Sequence, residues 1–163
     1  MISLFKAVEM LAAAEVEFVI VGGVALRSHG SSYLTQDLNI CCSRTRSNLE
    51  KLAEALKPLE PRPRGFPEGL PFVWDWSTLQ NGTNFTFKTS LCDIDLLGEV
   101  AGIGDYAKVL ENSVEMDLDG FKVRVLSIGG LIIAKETAGR EKDKAGLKEL
   151  YALRAAVENG PDQ

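Results

Sequence analysis

Apolar positions recur along the chain with two periods, and the switches between them mark the elements. Over residues 2–14, Leu4, Val8, Leu11 and Ala12 share one stripe, which predicts an amphipathic helix. Residues 17–21 (EFVIV) read as a short buried strand. Gly22 and Gly23 break it, and residues 24–30 (VALRSHG) read as a short helix ending at Gly30. Residues 36–42 (QDLNICC) alternate polar and apolar, as a half-exposed strand does. Helical spacing returns from Thr45 to Leu56, and Pro58 stops it. Residues 58–72 hold five of the six prolines and predict a loop without regular structure beside the core.

Alternation resumes after a predicted helical turn at Asp75 to Leu79. Residues 83–89 (TNFTFKT) and 91–98 (LCDIDLLG) make a predicted antiparallel pair. A short helix over 104–113 precedes residues 114–127, where Asp119-Gly120 marks a hairpin. Residues 128–157 read as two helical pieces broken near Gly139. The order of elements predicts an α/β (α+β) domain: a small mixed sheet flanked by helices, with a helical C-terminal part. One domain is expected over residues 1–163. Its core spans 16–126, its C-terminal helices 127–158 and its proline-rich loop 58–71.

Composition narrows the function classes. The chain has 163 residues, 45% hydrophobic and 25% charged, with a net charge of -5. That excludes adhesion to nucleic acid by bulk charge, while a local basic patch can still bind phosphate. The N-terminal residues lack a basic secretory n-region and carry Glu9 and Glu15, and no apolar run approaches membrane-span length. A cytoplasmic protein without a membrane partner is expected. Cys41, Cys42 and Cys92 are an odd set with two neighbours on opposite strand faces, which predicts free, largely buried thiols. With His29 the single histidine and no C-x-x-C, zinc is disfavoured. His29 is expected to cap or pack at the end of the first short helix.

Three features carry candidate chemistry. Gly22-Gly23 stands at a strand-to-helix junction, where backbone can approach a ligand closely and free N–H groups favour phosphate. Asp37-Leu38-Asn39 puts Asp37 and Asn39 on one strand face, and Asp93-Ile94-Asp95 does the same. Two such pairs can gather several oxygens, which suits Mg²⁺. Each pair alone reads equally as the solvated face of a strand.

These motifs, taken in order, resemble the nucleotidyltransferase superfamily of DNA polymerase β type. The closer likeness is to small bacterial proteins related to the toxin component of AbiE-type toxin–antitoxin systems. It is carried by VGGVALRSHG (21–30), TQDLNI (35–40), DIDLLG (93–98) and LIIAKETAGREKDKAGLKEL (131–150). The resemblance implies Mg²⁺- or Mn²⁺-dependent transfer of a nucleotide from an NTP to a hydroxyl of RNA, protein or a small molecule. It implies that Gly22 and Gly23 shape the triphosphate loop. Asp37 is then the first metal carboxylate, Asn39 stands in the second acid's place, and Asp95 is the third carboxylate, which helps activate the acceptor. Asp93 is a substitute ligand, and Lys135, Arg140 and Lys142 face the phosphates. Arg140, Lys142, Lys144 and Lys148 read equally as a solvated helix face.

Two departures qualify that reading. Asn39 removes a full charge beside the metal, a gross loss of roughly 8 kcal/mol for a unit charge about 4 Å from a divalent ion at an effective dielectric near 20. Residues 31–34 (SSYL) also lack the basic residue that relatives place before Thr-x-Asp. The alternative is therefore a catalytically inactive binding or regulatory module of the same fold, for example in a toxin–antitoxin context. The loop with Arg62 and Arg64 is expected to flank the site and meet the acceptor.

Overall fold

The computed structural model of the chain describes residues 2–159. Helix α1 (Ile2–Ala13) leads into strand β1 (Phe18–Val21), helix α2 (Gly22–Ser28), strand β2 (Asp37–Cys42) and helix α3 (Arg46–Leu56). After a 3-10 turn come β3 (Arg62–Pro63), α4 (Trp76–Gln80), β4 (Asn84–Lys88) and β5 (Asp93–Leu97). A small β6 (Glu99–Val100) and β7 (Gly104–Asp105) pair precedes α5 (Tyr106–Glu111). The hairpin β8 (Ser113–Leu118) and β9 (Phe121–Leu126) follows, then α6 (Ile128–Ala138) and α7 (Asp143–Glu158). This is the expected mixed α/β architecture with a helical C-terminal part.

Seven strands form one mixed sheet in the order β3-β4-β5-β2-β1-β9-β8. The expected antiparallel pair is β4 with β5, and the expected hairpin turns at Asp119 and Gly120, both at positive φ (54° and 91°). That is the backbone a tight, right-twisted hairpin demands. Two pairings are parallel and far apart in sequence: β2 with β5, and β1 with β9.

The alternation of each strand assigns the two faces. Ile20, Ile40, Phe87, Ile94 and Val125 are buried on one face. Phe87 meets Trp74 edge-on, and the Trp74 indole donates to the Ala53 carbonyl of α3, so α3 covers this face, with α1 packed against it. The opposite face carries Val21, Asn39 and Leu97, with α6 across from them. That second face is where the polar residues stand.

Local sequence explains the boundaries. Thr45 caps α3 by accepting from the Asn48 N–H, and the buried Asn48 amide ties Glu17 to Ser43. Ser127 caps α6, and Gly139 ends it at φ 60°, a left-handed conformation that costs glycine little. Two expectations need correction. Helix α2 begins at Gly22 rather than after the glycines, because Gly22 at φ 71° turns the strand directly into the helix. The proline-rich segment is not wholly irregular. Arg62 and Pro63 form an edge strand on β4, a position that tolerates proline because an edge leaves N–H groups unpaired.

The three cysteines are free thiols, with Cys41 and Cys42 buried. Burial pushes their pKa values up, to about 12 for Cys41 and about 11 for Cys42, so neither is a ready nucleophile. His29 is the residue that ends α2, and its Nε2 donates to the Leu126 carbonyl at 2.8 Å. It packs the helix end against β9. No helix among the described residues is long and apolar enough to cross a membrane.

Candidate active site

The site is assembled by the parallel pairing of β2 and β5. Asp37 stands opposite Asp93, and Asn39 opposite Asp95. Paired residues on neighbouring strands share a face, so all four polar side chains stand together in two adjacent rows. Asp37 and Asp95 are diagonal neighbours, with Cα atoms about 8 Å apart at ordinary strand spacing and rise. Between the polar positions, Leu38 and Ile94 point into the core and are fully buried, which fixes the register.

Asn39 also borders a cavity of about 290 Å³. Gly22, Leu131, Lys135, Arg140 and Glu99 line it as well. Gly22, Asn39, Lys135 and Arg140 therefore meet at one place, whereas Lys142 is exposed at the N-terminal boundary of α7 and lies outside the lining. Lys144 pairs with Glu141 on the surface, and Lys148 is exposed.

Both glycines make room for close neighbours. A Cβ on Gly22 would sit 2.5 Å from the Asn39 Nδ2, and one on Gly23 would sit 2.8 Å from the Thr35 Cβ and 2.9 Å from the Tyr33 Cε1. The loop before β2 thus lies over the diglycine turn, anchored by Ser31 Oγ and the Ser32 N–H donating to Glu149 of α7. Gly22→Ala combines positive φ with a clash against Asn39. It should cost about 2 kcal/mol and lower the melting temperature by about 4–8 °C in a thermal unfolding scan.

Lys135 and Arg140 are held by a residue given no role in the sequence reading, Asp143. Its side chain is 2% exposed and accepts from Lys135 Nζ at 3.3 Å and from Arg140 Nε at 2.7 Å. Arg140 beside it, and then Lys135, hold the Asp143 carboxyl down to about 2, against the opposing effect of burial. Gly146 of α7 leaves space for the lysine, since a Cβ there would meet the Lys135 Cε at 3.1 Å. The signal in the sequence was Arg140 and Asp143 at i,i+3 within the C-terminal signature.

Arg64, carried in by the loop that follows β3, pairs with both β5 acids. Its Nε is 3.3 Å from Asp93 and its Nη2 is 3.0 Å from Asp95. Burial raises the pKa of Asp95. Arg64 opposes the rise, and the charges of Asp37 and Asp93 add to it.

The donor set Asp37, Asn39, Asp93 and Asp95 is all oxygen, the chemistry a hard divalent cation prefers. The Asn39 Oδ1 is buried and has no hydrogen-bond partner among the described residues. Such an orphaned acceptor is costly unless something satisfies it. Among the described residues no three acid, imidazole or thiol groups already converge on a point. By donor chemistry these residues suit an oxygen-ligated cation, and in this structure Arg64 is paired with two of them.

A family described as "Nucleotidyl transferase of unknown function (DUF2204)" matches residues 74–159. No curated protein matches the chain by sequence. Solved structures that share the fold include the following three. A lincosamide antibiotic adenylyltransferase, LnuA, solved with lincomycin, is 14% identical with a TM-score of 0.62, covering 93% of this chain and 96% of its own. ANT(2")-Ia, in complex with adenylyl-2"-tobramycin, is 15% identical with a TM-score of 0.57, covering 97% and 88%. An antigenic nucleotidyltransferase-like protein from Paracoccidioides brasiliensis is 15% identical with a TM-score of 0.54, covering 93% and 73%. At these identities the likeness is one of fold.

Proposed function

We propose, from the premise that the chain belongs to the nucleotidyl transferase family, that it moves a nucleotide from an NTP to a hydroxyl acceptor with the help of Mg²⁺ or Mn²⁺. The observation that carries this is the in-register pairing of Asp37 and Asn39 with Asp93 and Asp95. Asn39 of that double row borders the cavity that Gly22, Lys135 and Arg140 also line.

The residues divide the work. Gly22 and Gly23 shape the turn against which the triphosphate lies, and Lys135 and Arg140 neutralise its oxygens. Asp37, Asn39, Asp93 and Asp95 hold the divalent cation. When bound, that cation neutralises charge on the reacting phosphate and its leaving group. Asp95 takes the proton of the acceptor hydroxyl. The acceptor oxygen bonds to the α-phosphorus as the bond from α-phosphorus to the β-bridging oxygen breaks, and pyrophosphate leaves. The acceptor is an RNA, a protein or a small molecule. Small-molecule hydroxyls gain weight from the antibiotic adenylyltransferases among the structural neighbours.

The unit doing this is a single domain, with the site on residues 16–126 and its cations delivered by the C-terminal helices. It works in the bacterial cytoplasm, where NTPs and Mg²⁺ are plentiful. The test is transfer of label from each NTP, with Mg²⁺ or Mn²⁺, to cell RNA, protein and small-molecule fractions. Restoring the second acid with Asn39→Asp should tighten Mn²⁺ binding about ten-fold or more by calorimetry, and raise transfer with it. Neither label transfer nor cation binding in both proteins would end this reading.

A second reading has its own support: Asn39 in place of an acid, and Arg64 already paired with Asp93 and Asp95. On it the fold is a catalytically inactive binding or regulatory module, as in a toxin–antitoxin pair of the AbiE type. It is favoured if NTP binds, no label moves, and Asn39→Asp changes neither.

A further inference from the structure

Arg64 lies across both carboxylates of β5 because of the way its loop is built. Its N–H donates to the Thr86 carbonyl at 2.8 Å, continuing the β3–β4 pairing by one residue. Arg62 closes the same loop, donating to the Leu70 carbonyl at 2.8 Å and lying over the Phe66 ring. The backbone thus delivers the Arg64 fork to the row that also contains Thr86 and Asp95. With a side chain 40% exposed, Arg64 has the weak hold of a partly solvated ion pair, one that a stronger cation can break.

We propose that Arg64 is a tethered internal cation: it holds Asp93 and Asp95 in the resting protein, competes with the divalent ion for their oxygens, and is released when that ion binds. The proposal rests on the reading of Asp93 and Asp95 as cation ligands. Charge explains why a protein would need it. Asp37, Asp93 and Asp95 put three like charges on adjacent positions of two paired strands, and Arg64 is the cation that bridges two of them. One guanidinium relieves this repulsion at two acids at once, which a single fork geometry permits.

Asn39 sharpens the competition. With an amide in place of a fourth carboxylate, the site has less advantage to offer a doubly charged ion over a singly charged guanidinium. The bare ion is therefore a poor competitor, and the ion carried on a triphosphate a better one, because the phosphates supply the missing negative charge. Arg64, once released, remains tethered beside Asp95 by its backbone bond to Thr86.

The test uses the full chain and two direct readouts. In Mn²⁺ titrations followed by electron paramagnetic resonance of the free ion, Arg64→Gln should bind about five-fold tighter or more than the parent protein. Arg64→Lys keeps the charge and loses the fork, and should still bind about three-fold tighter. If Arg64→Lys binds like the parent, Arg64 acts only as a nearby charge and the proposal is overturned. In a Mg²⁺ titration by NMR, the Arg64 Nε–Hε signal, identified by its loss in Arg64→Lys, should shift as the ion binds. An unmoved signal at saturating Mg²⁺ overturns the proposal too. Equal Mn²⁺ affinity in all three proteins removes it while leaving the cation site standing, whereas no binding in any of them removes both.

Discussion

Asp37→Asn is expected to reduce nucleotide transfer by about 100-fold or more, with little change in thermal stability. Charge sets the size of the effect. Asn39 already leaves β2 with one carboxylate, so the substitution leaves that strand with two neutral amides facing Asp93 and Asp95. A unit charge about 4 Å from a divalent ion is worth roughly 8 kcal/mol gross at an effective dielectric near 20. If hydration returns half of that, about 4 kcal/mol remains, close to a thousand-fold in rate. Asp37 sits half-buried at the start of its strand, where its N–H and carbonyl both bond the Thr35 hydroxyl, and Asn can keep those backbone contacts. Initial rates of label transfer, compared at equal melting temperature, check it. Retained activity would show that Asp37 is not a cation ligand.

The second large effect is on stability. Asp143→Ala should cost about 3 kcal/mol, because it leaves Lys135 in a largely enclosed setting without its counter-charge. For a chain of this size that is about 6–12 °C in melting temperature. The same change should raise the KM for NTP, since Lys135 and Arg140 lose the anchor that aims them at the cavity. The pH dependence has a definite sign. A carboxyl held below its ordinary range contributes stability that is fully present above about 3.8 and is lost as pH falls through about 2. Melting curves between pH 2 and 6 should therefore converge for the parent protein and Asp143→Asn toward the acid end and separate above about pH 4. Parallel curves throughout would show that Asp143 carries no such linkage.

Lys135 and Arg140 illustrate how a charged run hides its own exceptions. Residues 140–144 (REKDK) look uniformly solvated. Lys142 and Lys144 are indeed exposed, whereas Asp143 in their midst is buried. The difference comes from the packing of α6 on α7, which turns one residue of the run inward against Lys135. The i,i+3 spacing of Arg140 and Asp143 hints at their pairing, but it does not say that Asp143 is buried, because helical spacing gives direction only relative to a partner. Arg64 is a similar case. Its proline-rich loop is expected from the sequence to flank the site, but nothing local says which of Arg62 and Arg64 reaches the β5 acids. The two-residue strand before Arg64, too short to leave a period, sets where its side chain goes.

The sequence by itself determined whatever depends on near neighbours. Alternation put Asp37 with Asn39 and Asp93 with Asp95 on shared strand faces, Asp119-Gly120 made the hairpin, and Ser127 and Gly139 bounded α6. The ordered motifs also carried the nucleotidyltransferase superfamily. Each of these is decided by backbone geometry over a few residues. Only the tertiary structure decided that β2 and β5 run side by side in parallel, with Asp37 at Asp93 and Asn39 at Asp95, that Arg64 reaches the β5 acids, and that Asp143 holds Lys135. Those placements depend on burying Leu38, Ile40, Ile94 and Leu96 in one core, and burial sums over residues remote in the chain.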